Sequence, residues 1–368
     1  MTQIDILSYR KLSFAKRFGF TVRDLMILKS IETSNEVSKI HWYERPDTIV
    51  DFVKSKFTHF NNESNIFAPK AIDWNVFGAL RYGRAWAAES FKLYPQLNET
   101  ANPKIILDFN PFFIPSLSYL KDNVYWYDVI DNFLLHNRYT EQQLQAVAAK
   151  YEFVKKNANF ITGVTEKSLS PFGRGQVLPN RLIRSDWTSP IREQNKRFDF
   201  GFIGFITDKF DLGLVEALAK SGRSILISGQ SYDGNVIRTL KDIPGVEYTG
   251  PFNSAKVQEI LAKFKIGLIP YRREKLHDES PIKFFQYVCA GLPVITSTKF
   301  NVIEDLFAKY IHYYSLDDLD AINSFFDDMN FNYDTVSVDI KNKAMSSHDI
   351  FWDDTINKLV NRAKESRG

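Results

Sequence analysis

The chain has 368 residues, of which 44% are apolar and 25% charged, so its composition predicts two folded domains rather than a disordered polymer. A formal net charge of +3 argues against nucleic acid as the main partner. Cys289 has no second cysteine to pair with, which fits a reducing compartment and favours core packing over a reactive thiol.

The N-terminal segment MTQIDILSYRK lacks the long apolar stretch of a secretory signal. No run approaches the roughly 18 apolar residues of a membrane-spanning helix. We therefore expect a cytoplasmic protein, with peripheral contact at the inner face of the membrane as a further expectation.

Strands and helices alternate through the first half of the chain. The apolar patterns predict strands at 3–9, 37–44, 104–109, 123–130 and 159–165, and helices at 21–32, 76–94 and 141–157. Alternation of this kind is typical of a parallel sheet with helices on both faces.

A polar, proline-containing stretch at 181–197 interrupts the alternation, and we place an interdomain linker at 184–197. The alternation then resumes. The second half predicts strands at 197–204, 224–229, 245–250, 266–271, 293–297 and 309–315, and helices at 211–221, 254–264, 281–290 and 350–366.

These patterns predict two doubly wound α/β domains in tandem. The first covers 1–183, the second covers 198–345, and residues 346–368 include a terminal amphipathic helix. Ligands of such sheets bind beyond the carboxyl ends of the strands, so we expect a site in a cleft between the domains.

Residues 278–296, DESPIKFFQYVCAGLPVIT, predict a short helix that begins with an anion site. Ser280 is the expected N-cap, and Pro281 suits the first helical position because its missing N–H costs nothing there. Lys283 adds a positive charge in the first turn, and Gln286 follows on the same face. This geometry suits a diphosphate followed by a ribose.

The second half of the chain resembles the group 1, family 4-like glycosyltransferases of the GT-B fold, especially bacterial teichuronic-acid and xanthan-type enzymes. The resemblance is carried by Gly204 after a strand, EYTGPF at 247–252, LIPY at 268–271, SPIKFFQY at 280–287 and AGLPVI at 290–295. The first half is similar more loosely, through FNPFFIPSL at 109–117, YWYDVIDNF at 125–133 and LPN at 178–180.

The resemblance implies two Rossmann-like domains facing across a cleft, with the C-terminal helix returning to the first. It implies transfer of a sugar from a nucleoside-diphosphate donor, with a UDP-sugar favoured, to a saccharide or lipid-linked acceptor in bacterial surface polysaccharide biosynthesis. No cofactor beyond this nucleotide-sugar co-substrate is expected. A GT-B-fold sugar-nucleotide epimerase and a non-catalytic nucleotide-sugar-binding partner of another transferase stay open as alternatives.

The resemblance also implies donor contacts. Asp278 would bind the donor sugar, Lys283 would face the diphosphate, and Gln286 would bind the ribose where the family usually has an acid. Phe205 stands where an arginine often follows the loop glycine, so another cation would serve. The expected donor set is Gly204, Lys209, Tyr271, Arg272, Asp278, Ser280, Lys283 and Gln286.

Candidate catalytic residues follow the apolar run NVYWY at 123–127. Asp131 is the preferred general base for an inverting reaction, because the predicted strand 123–130 can still include the alternative, Asp128. A helix cap is the other interpretation of Asp131. His136 is a further candidate, for a donor-side contact.

No metal is expected, because the histidines show no ligand spacing and Asp318-Leu-Asp320 suits the first turn of a helix. The helix start at 280–283 would then stabilise the leaving diphosphate. Basic and aromatic residues within 10–29, among them Arg10 and Arg23, and within 76–94 predict a surface for an anionic membrane. The alternative is that the aromatics pack inward and the basic residues are solvated.

Overall fold

The computed structural model describes residues 1–10, 19, 21–44, 47–48, 66–67, 72–73, 104–135, 139–188, 196–231, 233–276, 280–300 and 302–366. The chain forms two compact units. The first unit consists of Met1–Lys16, Val22–Pro179 and Asp353–Gly368, and the second of Arg17–Thr21 and Asn180–Trp352. The predicted domain bounds stay predictions. Within the predicted linker, Arg184–Trp187 form a short 3-10 helix.

The first unit is built on a parallel sheet of seven strands. The strands are β1 (Thr2–Leu7), β2 (Val37–Tyr43), β4 (Ile66–Phe67), β6 (Ile105–Asp108), β7 (Val124–Val129), β8 (Phe160–Gly163) and β9 (Gln176–Val177), in the order β4-β2-β1-β6-β7-β8-β9. Separately, β3 (Asp47–Thr48) pairs with β5 (Ile72–Asp73). Every residue of β6 and β7 is buried, which explains why both read as continuous apolar runs.

The described helices of the first unit's main segment are α1 (Arg23–Glu32), α2 (Leu117–Leu120), α3 (Glu141–Asn157) and α4 (Glu166–Leu169). Helix α3 has the predicted bounds because a capping box between Thr140 and Gln143 defines its start. The helix predicted at 76–94 lies outside the described residues.

The second unit contains a parallel sheet of six strands. These are β10 (Phe198–Ile203), β11 (Ile225–Ser228), β12 (Val246–Gly250), β13 (Phe264–Ile269), β14 (Val294–Thr296) and β15 (Ile311–Tyr313), in the order β12-β11-β10-β13-β14-β15. Its helices are α5 (Leu212–Lys220), α6 (Gly234–Asp242), α7 (Val257–Leu261), α8 (Ile282–Cys289), α9 (Leu319–Phe331) and α10 (Tyr333–Ser346).

The strand order of the second unit reverses between β10 and β13. After β10 the chain adds β11 and β12 on one side, and after β13 it adds β14 and β15 on the other. Parallel sheets of this kind bind ligands at the carboxyl ends of the two strands that flank the reversal. A ligand site is therefore expected at the loops that follow Ile203 and Ile269.

The C-terminal helix α11 (Ile356–Glu365) belongs to the first unit, as predicted. Its Asn357 side chain lies 2.5 Å from the Ser34 hydroxyl, and Lys364 Nζ lies 2.8 Å from the Glu36 carboxylate. The helix begins later than the predicted 350, because Ile350 and Trp352 exchange backbone hydrogen bonds with Leu182.

Three smaller predictions have outcomes in the structure. The segment 254–264 is not one helix, since a 3-10 turn precedes α7. Asp318 caps α9 by accepting from the Ala321 N–H, which confirms the helix-start interpretation. Cys289 is buried, and burial raises the pKa of its thiol, as expected for core packing.

Within the part of the chain that the structure describes, no helix has the length and hydropathy that crossing a bilayer requires.

Candidate functional site

Helix α8 begins one residue later than predicted. Pro281 is its N-cap and makes no side-chain cap hydrogen bond, so the prediction that Ser280 is the N-cap of this helix is wrong. The Ser280 hydroxyl instead accepts a hydrogen bond from the Asn180 backbone N–H at 3.1 Å. The N–H groups at Ile282 and Lys283 begin the helix without an intrahelical acceptor, so they provide a partial positive charge.

Helix α8 presents two faces. The side chains of Phe284, Phe285, Tyr287 and Val288 are buried, whereas Lys283 and Gln286 are half-buried. The predicted shared face of Lys283 and Gln286 is therefore the less buried one, where both side chains are accessible to a ligand.

The Lys283 ammonium is held between two aromatic rings. Its Nζ donates to the Tyr271 hydroxyl and lies 4.7 Å from the centroid of that ring. It also lies 5.1 Å from the centroid of Phe202, in strand β10. Cation–π attraction and the hydrogen bond restrict where this charge sits, so the ammonium is oriented before any ligand arrives.

Gly204 follows β10 directly under this lysine. Its φ is +125°, and a Cβ at this position would lie 3.3 Å from Lys283 Cε. Gly229, at the end of β11, is so close that its own Cβ would lie 1.7 Å from the Gly204 carbonyl oxygen. Two glycines therefore allow the strand ends and the lysine to pack closely. The contact of Gly204 with the donor stays a prediction.

Tyr287 connects the two strands that flank the reversal of strand order. The paired residues of β10 and β13 extend as far as Gly201 and Gly267. Beyond them, the Tyr287 hydroxyl accepts from the Ile203 N–H at 3.2 Å and donates to the Leu268 carbonyl at 3.0 Å. Burial raises the pKa of this hydroxyl, which remains a neutral donor.

The predicted cations Lys209 and Arg272 lie on adjoining loops. The Arg272 N–H donates to the Lys209 carbonyl at 2.7 Å, and the Asp211 N–H donates to the Pro270 carbonyl at 2.7 Å. The Tyr314 hydroxyl adds a hydrogen bond to the Asp211 carboxylate at 2.9 Å. The Lys209 side chain is half-buried and that of Arg272 is exposed.

The structure thus brings Gly204, Tyr271 and Lys283 into direct proximity and places Lys209 beside Arg272. Asp278 and His136 lie outside the described residues. Sequence reasoning missed Phe202, because a phenylalanine in an apolar strand reads as core. It also missed the contact of Asn180 with Ser280, which are 100 residues apart.

Asp128, the alternative base in the first unit, lies within β7 rather than after it. Arg23 donates to both of its carboxylate oxygens at 2.7 Å, and the Thr162 hydroxyl donates to it at 2.6 Å. These hydrogen bonds occupy both oxygens of the buried carboxylate.

Asp131, the preferred base, lies in the loop after β7 and is half-buried. The Tyr151 hydroxyl is 3.4 Å from its backbone carbonyl. Burial and the Tyr9 hydroxyl raise the pKa of Tyr139, and the Asp131 charge adds a smaller contribution in the same direction. The Tyr9 and Tyr139 hydroxyls lie 3.4 Å apart.

The prediction that Arg23 contributes to an exposed basic surface at 10–29 is wrong. Its side chain is only 3% exposed, because it pairs with Asp128 and donates to the Leu178 carbonyl at 2.7 Å. Arg10 is partly exposed and pairs with Asp24 at 2.8 Å. Residues 11–18, 20 and 76–94 lie outside the described part of the chain.

The described residues contain no group of three or more His, Cys, Asp or Glu side chains that could hold a metal ion. Metal independence stays a prediction.

Comparison with known proteins gives one sequence relative and several structural ones. No family model matches the chain. A segment of 100 residues is 32% identical to a Bacillus subtilis strain 168 protein that carries the name teichuronic acid biosynthesis glycosyltransferase TuaH. This segment covers 26% of the present chain and 25% of that relative.

Several solved structures match over the whole chain, including those of HepE and AviGT4. Anabaena HepE in complex with UDP and glucose superposes with a TM-score of 0.58 at 13% identity, covering 100% of both chains. AviGT4, described as a glycosyltransferase involved in avilamycin A biosynthesis, gives a TM-score of 0.55 at 9% identity and covers 100% of this chain and 99% of its own. The predicted GT-B fold of two Rossmann-like domains is confirmed.

Proposed function

We propose that the protein is a glycosyltransferase of the hexosyltransferase type that uses a nucleoside-diphosphate sugar, with UDP-sugar favoured. The observation that carries this proposal is the Lys283 ammonium, oriented by Phe202 and Tyr271 above Gly204 at the start of α8. A point charge beside the backbone amides of a helix start, at a reversal of strand order, suits a diphosphate.

The names of the similar proteins support the sugar-transfer part of the proposal. The sequence relative is named for teichuronic acid biosynthesis, and HepE was solved with UDP, glucose and UDP-glucose. The acceptor would be a saccharide or a lipid-linked saccharide of a bacterial surface polysaccharide. Contact with an anionic membrane is a further part of the proposal.

In the donor half of the mechanism, the bond between the sugar C1 and the diphosphate oxygen breaks, and negative charge develops on the leaving diphosphate. Lys283 and the amides at the start of α8 would stabilise that charge without reorganising, because their positions are already set. Ser280, Lys209, Tyr271 and Arg272 would complete the phosphate side, and Gln286 and Asp278 would contact the ribose and sugar.

In the acceptor half, an inverting reaction needs a base that takes the proton of the acceptor hydroxyl as its oxygen attacks C1. Asp131 suits this role better than Asp128, since the Asp128 carboxylate is occupied by Arg23 and Thr162. His136 stays a candidate for a donor-side contact.

Calorimetric titration of the full chain with UDP tests the donor site. We expect Lys283→Ala to weaken UDP binding by about 10- to 150-fold, corresponding to about 1.5–3 kcal/mol for a hydrogen bond to a charged group. Lys220→Ala is the matched control, because this exposed lysine ends α5 at the opposite edge of the sheet. Equal UDP affinity in the wild type and Lys283→Ala would refute the diphosphate role.

Product analysis separates the proposal from its alternatives. Incubation with a UDP-sugar and a saccharide or lipid-linked acceptor should yield a glycosylated acceptor and UDP, with activity unchanged by EDTA. A 2-epimer of the donor sugar formed without acceptor would instead indicate an epimerase. Tight UDP-sugar binding with no turnover in any acceptor panel would indicate a non-catalytic binding partner.

A further inference from the structure

We propose that Asn180 is a positioning residue for the donor diphosphate, because it holds the chain at the entrance of α8. This inference rests on the proposed function. Asn180 is not itself one of the predicted donor-binding residues. It acts through Ser280, which immediately precedes Pro281 and the start of the helix.

Asn180 makes two hydrogen bonds to one residue. Its backbone N–H donates to the Ser280 hydroxyl at 3.1 Å, and its side-chain Nδ2 donates to the Ser280 carbonyl at 2.6 Å. Ser280 is only 6% exposed, so water competes little for these bonds. Together they fix both the side chain and the backbone of Ser280.

Helix α8 needs such an external support because it has no cap of its own. Its N-cap residue, Pro281, offers neither a side-chain acceptor nor an N–H. The direction of the first-turn amides therefore depends on how the chain enters the helix. Asn180 is the described residue that sets this entry from a distant part of the sequence.

The segment that carries Asn180 is itself anchored within the second unit. Two residues on, Leu182 donates to the Ile350 carbonyl and accepts from the Trp352 N–H, both at 2.8 Å. Arg181 donates to the His348 carbonyl at 2.9 Å. This pairing therefore fixes the position of Asn180, and Asn180 in turn fixes the residue that precedes α8.

One further feature separates positioning from simple stabilisation. The Asn180 Oδ1 is buried and has no hydrogen-bond partner among the described residues. A buried acceptor without a partner destabilises the fold, which offsets the stability that the hydrogen bond to the Ser280 carbonyl contributes. An apolar replacement of similar size should therefore be tolerated by the fold.

The experiment compares UDP with uridine, using full-length wild type, Asn180→Leu and Asn180→Ala. Loss of the side-chain bond should weaken UDP binding by about three- to tenfold, as for one hydrogen bond, and leave uridine affinity within about twofold. Melting of the unliganded variants by circular dichroism should remain cooperative. Asn180→Ser serves as a second variant if either replacement fails to fold.

Coupling to Lys283 provides the decisive readout. If Asn180 aims the helix start and its lysine at the diphosphate, its replacement should weaken UDP binding less in a Lys283→Ala background than in the wild type. Equal UDP affinity in folded Asn180→Leu, or an equal loss for UDP and uridine, would overturn the inference. If the wild type binds neither UDP nor other nucleoside diphosphates, the proposed function itself fails.

Discussion

At the scale of single residues, the candidate donor site depends on one charge and the groups that restrain it. Lys283 would be a flexible surface lysine if α8 were isolated, since its stem has four rotatable bonds. Phe202 limits this freedom through a cation–π contact at 5.1 Å, and Tyr271 limits it by accepting a hydrogen bond from the ammonium. The entropy cost of ordering the ammonium is therefore met during folding rather than on binding.

Gly204 provides a test at this scale. Alanine at this position would suffer strain at a φ of +125° and would press on Lys283 Cε, so we expect both lower stability and strongly weakened UDP binding. The strain alone costs about 1–3 kcal/mol. Chemical denaturation and UDP calorimetry measure the two effects separately.

Gly222→Ala is the matched control for that experiment. Gly222 also has a positive φ, +85°, but a Cβ there would contact nothing within 4 Å. The Gly222→Ala variant should be less stable than the wild type but should bind UDP with wild-type affinity. Wild-type UDP affinity in Gly204→Ala would contradict the close approach inferred here.

At the scale of elements, the site exists because β10 and β13 are connected by a side chain at their carboxyl ends. Tyr287 of α8 satisfies the Ile203 N–H and the Leu268 carbonyl with one hydroxyl. Helix α8 is thereby tied to both strands of the reversal, so its first turn is held over their loops.

Tyr287→Phe removes this connection without removing the ring. Two buried backbone groups lose their partner, so we expect a destabilisation of about 1–3 kcal/mol, measured by urea denaturation. UDP affinity should fall as well, because the helix is less firmly held. Tyr310→Phe, which removes a hydroxyl that donates to the partly exposed Asp339, is the control. A stability change equal to that control would contradict the assigned role.

Lys196, which precedes β10, makes stability depend on pH. Burial, with a smaller contribution from Lys265, lowers the pKa of its ammonium from 10.5 to about 8, although its Nζ donates to the Phe264 carbonyl at 2.8 Å. Between these values the unfolded chain binds more protons than the folded one, so the free energy of unfolding should rise with pH there.

Urea denaturation at intervals from about pH 7 to about pH 10.5 measures this dependence. The difference between wild type and Lys196→Met isolates the contribution of this lysine from that of other titrating groups. Wild type should gain stability relative to Lys196→Met as pH increases. A difference that stays constant, or that moves in the opposite direction, would show that the lysine keeps its ordinary pKa.

At the scale of the whole molecule, the proposed reaction divides between the two units. The predicted donor residues belong to the second unit, and the predicted base Asp131 belongs to the first. Binding of UDP and turnover should therefore be separable by mutation.

Asp131→Asn tests that separation. We expect a loss of turnover of about 10²- to 10⁴-fold, the usual contribution of a general base, with UDP affinity unchanged. Radiolabelled sugar transfer and calorimetry are the two measurements. Asp122→Asn is the control, because this aspartate follows α2 in a turn remote from the carboxyl ends of the strands. Full turnover in Asp131→Asn would remove the assignment and direct attention to Asp128 or His136.

Most of the fold could be predicted because apolar runs and caps are local features. Strands such as Ile105–Asp108 and Val124–Val129 are buried on every residue, and α3 carries its own capping box. Helix α6 (Gly234–Asp242) was not predicted, since only Leu240 among its side chains is fully buried. Gly204 could be singled out because it ends a predicted strand, and Lys283 because it lies in the first turn of a predicted helix.

The amino-acid sequence by itself determined the two α/β units and the candidate charge of Lys283. The family resemblance of the sequence implied that the C-terminal helix returns to the first domain. The tertiary structure decided which groups surround that charge and which charges are unavailable. Arg23 and Asp128 are 105 residues apart, and Asn180 and Ser280 are 100 apart. Hydrophobic periodicity specifies the faces of each element but not the order of strands in a sheet, and that order creates these pairs.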